Sequence, residues 1–439
     1  MFEIKGKYTT AKVMIDDVEE SCVAQITQFV NHPAFTKQVS IMPDTHAGRG
    51  SVIGFTMPLT DKVIPNVVGV DIGCGMLSIN IGKSLPLSLE HLDHKIRQRV
   101  PFGMSTHDKA VINMERAFPW HQANTLAQKF SLAYREKYGE ISIPSYDMNW
   151  FMSKCEKIRA GGMRRFINSI GTLGGGNHFI ETGLSDTGDY WITIHTGSRN
   201  FGKCVCDYWQ GKAAKDFKRE GKDGVLQQIE QLKKDTADKK ELFNKIKELK
   251  AQRKPGIDLK GCEWLEGEDA IGYLFDMIFS QIYAEVNRNY IKTIICDALS
   301  VVPVETIETV HNFIDFRDFI VRKGAIRSYV GEQMILPFNM RDGILICEGK
   351  SNPEWNFSAP HGAGRLMSRG QAKREINLEE FKSQMVGIYS TSVGSGTLDE
   401  APDAYKPAQV IENAIGPTAT IVGRIKPIHN MKDSQGEDD

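Results

Sequence analysis

Apolar residues in the first eighty positions come in short runs cut by Gly, Pro and Asp: Val39 to Met42, Ser51 to Met57, Val63 to Val70 and Met76 to Ile81. Runs this short, closed by turn formers, predict buried strands rather than helices. The pattern then changes. From Leu89 to about Phe130 the spacing is helical, with Leu92, Ile96 and Val100 on one face, and Gly272 to Tyr290 reads the same way. Trp191 to Ile194, Val301 to Val304 and Gly343 to Cys347 read as further strands. Strands and helices mixed without a regular alternating period predict an α+β fold.

Glycine is the compositional departure, at 40 of 439 residues against an ordinary share of about 7%. The net charge of −1 excludes a uniformly basic surface, the usual electrostatic footprint of nucleic-acid binding. That sum hides local imbalance. Nine basic and four acidic residues lie between Arg322 and Arg374, whereas 433–439 carries four acids and no base. No apolar run reaches the ~18 residues of a membrane span, and the N-terminus has no signal-peptide core, so a cytoplasmic protein is expected. Eight cysteines without framework spacing argue against disulfides there.

The organisation expected is one catalytic domain over 1–439. Residues 212–254, with 14 Lys and Arg against 8 Asp and Glu, read as an inserted helical arm in which Leu242, Ile246 and Leu249 form an apolar stripe. The acidic tail at 433–439 reads as disordered.

Four stretches join glycine to chemistry-bearing side chains. Val67 to Met76 runs an apolar segment into a turn that holds Asp71 and Cys74. Gly174 to Glu181 is a flexible loop followed by Asn177, His178 and Glu181. His195-Thr196-Gly197-Ser198-Arg199 closes a strand, and His311-Asn312 follows another. One thiol, one carboxylate and three imidazoles suit zinc, manganese or iron better than calcium or magnesium. Five such ligands exceed the needs of one structural ion, and two ions sharing a ligand is the economical arrangement. In the fourth stretch, Ser358 to Arg369, His361 sits on the Gly362-Ala363-Gly364 turn with Arg365 and Arg369 four residues apart, one turn apart if helical. Arginine forks fit phosphate oxygens, so His361 is expected to meet a phosphate.

These motifs, Asp71 to Met76, Asn177 to Glu181, His195 to Arg199 and His361 to Arg365, resemble in order the signatures of the RtcB family of GTP- and manganese-dependent RNA ligases. Met42 to Gly48, Arg322 to Ala325 and Asp399 to Lys406 also match, so the resemblance runs from about Ile41 to Lys432. It implies that Cys74 bridges two manganese ions, with His195 and His311 completing one site and Asp71 and His178 the other. Asn177, Phe179, Glu181, Asn312, Pro337, Met340, Gly362, Ala363, Gly364 and Lys432 would hold the guanine nucleotide. His361 would attack the α-phosphate of GTP and pass GMP to an RNA 3′-phosphate, formed by opening a 2′,3′-cyclic phosphate, before a 5′-hydroxyl seals the strand. Asp44, Arg199, Arg327, Arg365 and Arg369 are candidate RNA contacts. Cleaved tRNA or rRNA, in splicing or repair, and an archease-type activator are the implied partners, although no docking motif is visible.

The chain departs from the family at Pro337-Phe338-Asn339-Met340-Arg341, where members usually carry Pro-Gly-Ser-Met-Gly, and at Ile344, where a serine is usual. Phe338 and Arg341 are bulky where a backbone should approach a ligand, so an altered nucleotide pocket is expected. Two other readings stand beside the ligase: a metal-dependent phosphodiesterase that opens cyclic phosphates without joining, and a non-ligating RNA-binding paralogue.

Overall fold

The computed structural model describes residues 1–236, 241–246 and 260–434. Its larger sheet is antiparallel and runs in the spatial order β12 (Gln333–Pro337), β13 (Ile344–Gly349), β15 (Ala419–Met431), β6 (Phe179–Ser185), β7 (Tyr190–Thr196), β5 (Gly75–Gly82) and β8 (Glu305–Val310). A six-stranded mixed sheet has the order β1 (Phe2–Lys5), β2 (Thr10–Val13), β3 (Val39–His46), β4 (Ile53–Pro58), β10 (Ile320–Lys323) and β9 (Asn312–Asp315), with β2 parallel to β3. The pair β11 (Ala325–Arg327) and β14 (Ser358–Pro360) delivers the segment that begins at His361. Helices and mixed sheets together make the α+β fold expected.

Alternation along β5 separates the two faces of the larger sheet. Leu77 and Ile79 pack with Leu92, Ile96, Ile291 and Ile295, whereas Met76 joins Phe179, Trp191, Ile335 and Ile425 on the other side. The helix Gly267–Leu299 is apolar nearly all round because it serves two cores. Its first half sits among Phe130, Phe151, Phe166 and Phe201, and its last turns reach the face of β5 and β7.

Several expected elements differ. Val63 to Val70 is not a strand: Pro65 starts a short helix, Pro65–Val68, and Gly69 at φ +117° ends it, which leaves Val63 one isolated bridge to Leu265. The helical stretch after Leu89 stops at Arg97 because Pro101 and Gly103 interrupt it, and helix resumes at Met114–Ala117 and Trp120–Tyr138. Val301 to Val304 precedes its strand rather than forming it, as Val302 and Val304 point outward on either side of Pro303 and pairing begins at Glu305. The helix leading into the expected arm begins earlier, at Arg199, and its first turns are anchored in the core by Phe201, Val205 and Trp209. Part of the arm, at 237–240 and 247–254, together with 255–259 after it and 435–439 of the tail, lies outside the described residues.

Candidate active site

Strand register gathers the ligating side chains. Phe179 on β6 pairs with His195 on β7, His195 pairs with Met76 on β5, and Gly75 pairs with Val310 on β8. His178 precedes β6, Cys74 precedes β5 and His311 follows β8, so all fall in one row with His195 across four adjacent strands. The His311 N–H donates to the Cys74 carbonyl at 2.9 Å, which locks the row. Cys74 Sγ lies 3.3 Å from His195 Nε2 and 3.5 Å from His178 Nε2, and His195 Nε2 lies 3.3 Å from His311 Nε2. Asp71, on the turn before β5, places Oδ2 3.0 Å from His178 Nε2. Two triplets result, Cys74-His195-His311 and Asp71-Cys74-His178, each with donor atoms within 4.8 Å of one another and Cys74 common to both.

Glycine and two buried residues hold this geometry. A Cβ on Gly197 would overlap both carboxylate oxygens of Asp71, so the turn after β7 admits no other residue without displacing that carboxylate. Arg288, wholly buried, donates to the carbonyls of Gly73 at 2.8 Å and Thr196 at 3.0 Å, tying the two ligand-bearing turns together. Asn287 donates to Thr172 and Gly197 carbonyls and accepts from the Gly171 and Thr172 N–H groups. Neither residue carries a sequence signal of its own, because helical spacing makes them look like ordinary polar residues.

Burial, reinforced by surrounding cations, holds His195 and His311 well below the usual histidine range, so both are neutral with lone pairs free to coordinate. Burial and Asp71 push the Cys74 thiol well up; a coordinated divalent ion would reverse this, since a ligating thiol is deprotonated. Neutral imidazoles, one thiol and one carboxylate converging on two neighbouring points fit a pair of transition-metal ions.

Two members of the row, His195 and His311, line a cavity of about 630 Å³. His361 stands in its wall, its ring centroid 4.8 Å from that of His311. Its Nδ1 donates to Asp44 Oδ2 at 2.6 Å, and the same oxygen accepts the backbone N–H groups of His361 and Gly362 at 3.0 and 3.3 Å. The Nε2 atom therefore faces the cavity. Gly364 is required here, since φ is +76° and a Cβ would overlap the Asp44 carbonyl.

All ten nucleotide candidates line this cavity. Lys432 is buried, with Nζ 2.8 Å from Glu400 Oε2, 3.3 Å from the Asn177 carbonyl and 5.4 Å above the Phe179 ring. Its main chain is pinned by Ser392 and by Arg97 on the helix Leu89–Arg97. Burial pushes the Glu181 carboxyl up to about 8, and its Oε1 is unpartnered while Oε2 accepts from Asn430 at 2.8 Å. Glu400, not singled out from the sequence, sits in the same wall. Burial raises it, but Lys432, Arg369 and Arg365 outweigh that and hold it at about 2. In the divergent loop, Phe338 packs in the core with Ile326, Leu336 and Ala363 while still edging the cavity, and Arg341 pairs with Asp342 at 2.8 Å.

The RNA candidates separate. Asp44 is fully buried beneath His361 and presents nothing to an external strand. Arg199 is also buried, donating to Thr172 Oγ1 at 3.0 Å and the Gly103 carbonyl at 2.8 Å. Arg327 lies outside this cavity and is engaged by Asp315, Asp318 and Glu332. Arg365 and Arg369 do reach the cavity, but each is paired with Glu400, and the helix begins only at Arg369, capped by Ser368, so Arg365 lies on the preceding loop.

The family model described as "tRNA-splicing ligase RtcB" matches residues 25–433. The chain therefore belongs to the RtcB family. Relatives include the RNA-splicing ligase RtcB of Escherichia coli (strain K12), 26% identical over 94% of this chain and 95% of the relative. The tRNA-splicing ligase RtcB of Methanococcus maripaludis is 24% identical over 92% of this chain and 89% of its own. The RNA-splicing ligase RtcB homolog 1 of Entamoeba histolytica is 25% identical over 94% of this chain and 83% of its own. Among the described residues no helix is long and apolar enough to cross a membrane.

Proposed function

We propose that this chain is an RNA ligase that joins 2′,3′-cyclic phosphate or 3′-phosphate ends to 5′-hydroxyl ends, using GTP, in tRNA splicing or RNA repair. The observation that carries the reading is His361: a solitary Nε2 aimed into a nucleotide-sized cavity, with Nδ1 fixed on Asp44, above a floor of converging ligands. Asp71, Cys74 and His178 would hold one manganese ion and Cys74, His195 and His311 a second, supplying charge stabilisation at the phosphates. Asp44 keeps the imidazole in the tautomer whose Nε2 can attack. Attack on the α-phosphorus of GTP forms an N–P bond and expels pyrophosphate. Glu181 and Lys432 would face the base edge, Phe179 would supply an apolar wall, and the Gly362 to Gly364 turn would let phosphate approach the backbone. The RNA 3′-phosphate then takes GMP from His361, and the incoming 5′-hydroxyl displaces GMP to close the strand. Cleaved tRNA or rRNA is the proposed substrate, with an archease-type protein as activator.

The test is to incubate the protein with GTP, manganese and an RNA pair carrying a 2′,3′-cyclic phosphate and a 5′-hydroxyl. Joined product is expected. Opening of the cyclic phosphate without joining would leave a phosphodiesterase, and unchanged RNA would leave a binding protein.

A further inference from the structure

Asp44 anchors two imidazoles, not one. Its carboxylate holds His361 Nδ1, and its backbone carbonyl accepts from His46 Nδ1 at 3.0 Å. His46 ends β3, is half-buried and lines the same cavity as His361. Since Nδ1 is committed to a carbonyl, which can only accept, the proton sits there and Nε2 carries the lone pair. Among the described residues Nε2 has no hydrogen-bond partner. Burial holds the ring's pKa down at about 4, so it is uncharged at neutral pH.

The joining reaction needs a group to receive the proton of a weakly acidic hydroxyl, and the cavity offers few. His195 and His311 direct Nε2 into the ligand row. His361 Nε2 is the nucleophile of the first step. Glu400 is tied to Lys432, Arg365, Arg369 and Tyr405, and Glu19 pairs with Lys406 at 3.4 Å. Glu181 keeps Oε1 unpartnered, but its carboxyl, pushed up to about 8 by burial, is mostly protonated at neutral pH and is not poised to accept a proton. Apart from His361 and the two imidazoles of the ligand row, His46 is the histidine that lines this cavity among the described residues, and it leaves Nε2 uncommitted.

Building on the ligase reading, we propose that His46 is a second catalytic residue, whose Nε2 takes the proton of the RNA 5′-hydroxyl during strand closure. The O5′–P bond forms, the bond from phosphorus to GMP breaks, GMP leaves with the electron pair, and the proton passes to Nε2 and then to solvent.

The experiment uses the full chain with manganese and compares the parent with His46→Ala, His46→Gln and His46→Gly. Two rates are read: GMP transfer from labelled GTP to protein and RNA, and closure of RNA that already carries a 3′-guanylyl group. Closure is expected to fall about 100-fold or more in the variants, the ordinary contribution of general-base catalysis, while guanylyl transfer stays within about threefold and guanylylated RNA accumulates. Added imidazole should restore part of the closure rate in His46→Gly. Closure within about threefold of the parent, or equal losses in both rates across all three variants, overturns the proposal. A parent that closes no guanylylated RNA overturns the ligase reading and this inference with it, whereas a parent and variants that close it equally overturn this inference alone.

Discussion

Asp44 and His361 are 317 positions apart, and sequence spacing gives no hint of the 2.6 Å bond between them. Removing its charge while keeping its shape, as in Asp44→Asn, should release the Nδ1 proton constraint and cut guanylylation of the protein by about 100-fold or more, read from labelled GTP in a single turnover. Asp71, Cys74, His178 and His195 were legible as candidate ligands because each stands close to a glycine turn at a strand end, whereas His311 has no glycine near it and was marked only by following an apolar block. Asp44 was noticed through its motif but assigned outward, since sequence cannot tell an exposed carboxylate from one buried under an imidazole. The same limit applies to arginines: Arg199, Arg327, Arg365 and Arg369 look alike in sequence, yet each is engaged by acids or backbone carbonyls once the chain folds. Cys74→Ser should lose most manganese binding by calorimetry, whereas Cys22→Ser, whose thiol lies outside both triplets, should bind as the parent does; equal binding in both would contradict a bridging Cys74.

Among the elements, the hairpin of β9 and β10 carries its own electrostatic lock. Asp315 meets Arg317 and Arg327 at 2.9 and 2.7 Å, while Arg322, wholly buried, bonds Asp318 and Ser358. Burial raises Asp315, but Arg317 and Arg322 outweigh it and hold the carboxyl at about 2. A depressed folded pKa adds stability that is complete above the unfolded value of about 3.9 and is lost as pH falls through about 2. The contribution is roughly 2 kcal/mol, so Asp315→Asn should cost that much in urea unfolding at pH 7 and clearly less at pH 3. A cost that does not change with pH would refute the assignment. Val301 to Val304 proved to lead into its strand, whereas Val39 to Met42, Ser51 to Met57, Met76 to Ile81, Trp191 to Ile194 and Gly343 to Cys347 were readable as strands because a short apolar run met a turn. Val63 to Val70 was not, because Pro65 and Gly69 impose a helical turn on residues whose apolar character equally suits a strand.

For the molecule as a whole, the larger sheet supplies His195 and His311 and the segment after β14 supplies His361, the proposed nucleophile, so the cavity exists only where the two meet. The C-terminal part closes it: β15 pairs with β6, and Lys432 beyond it is fastened through Ser392 and Arg97 to the helix Leu89–Arg97. Ser392→Ala removes two bonds to the Lys432 main chain and should weaken GTP binding about fivefold to tenfold with little change in thermal midpoint. Such long-range closure is invisible to local pattern, which is why the family resemblance, and not composition or spacing, located Lys432. The most direct test of the account is covalent: incubate the protein with α-labelled GTP and manganese, then follow label on the denatured chain. The account predicts label that is released by acid, stable to alkali and absent from His361→Ala. Acid-stable label, or His361→Ala labelled as strongly as the parent, would contradict it.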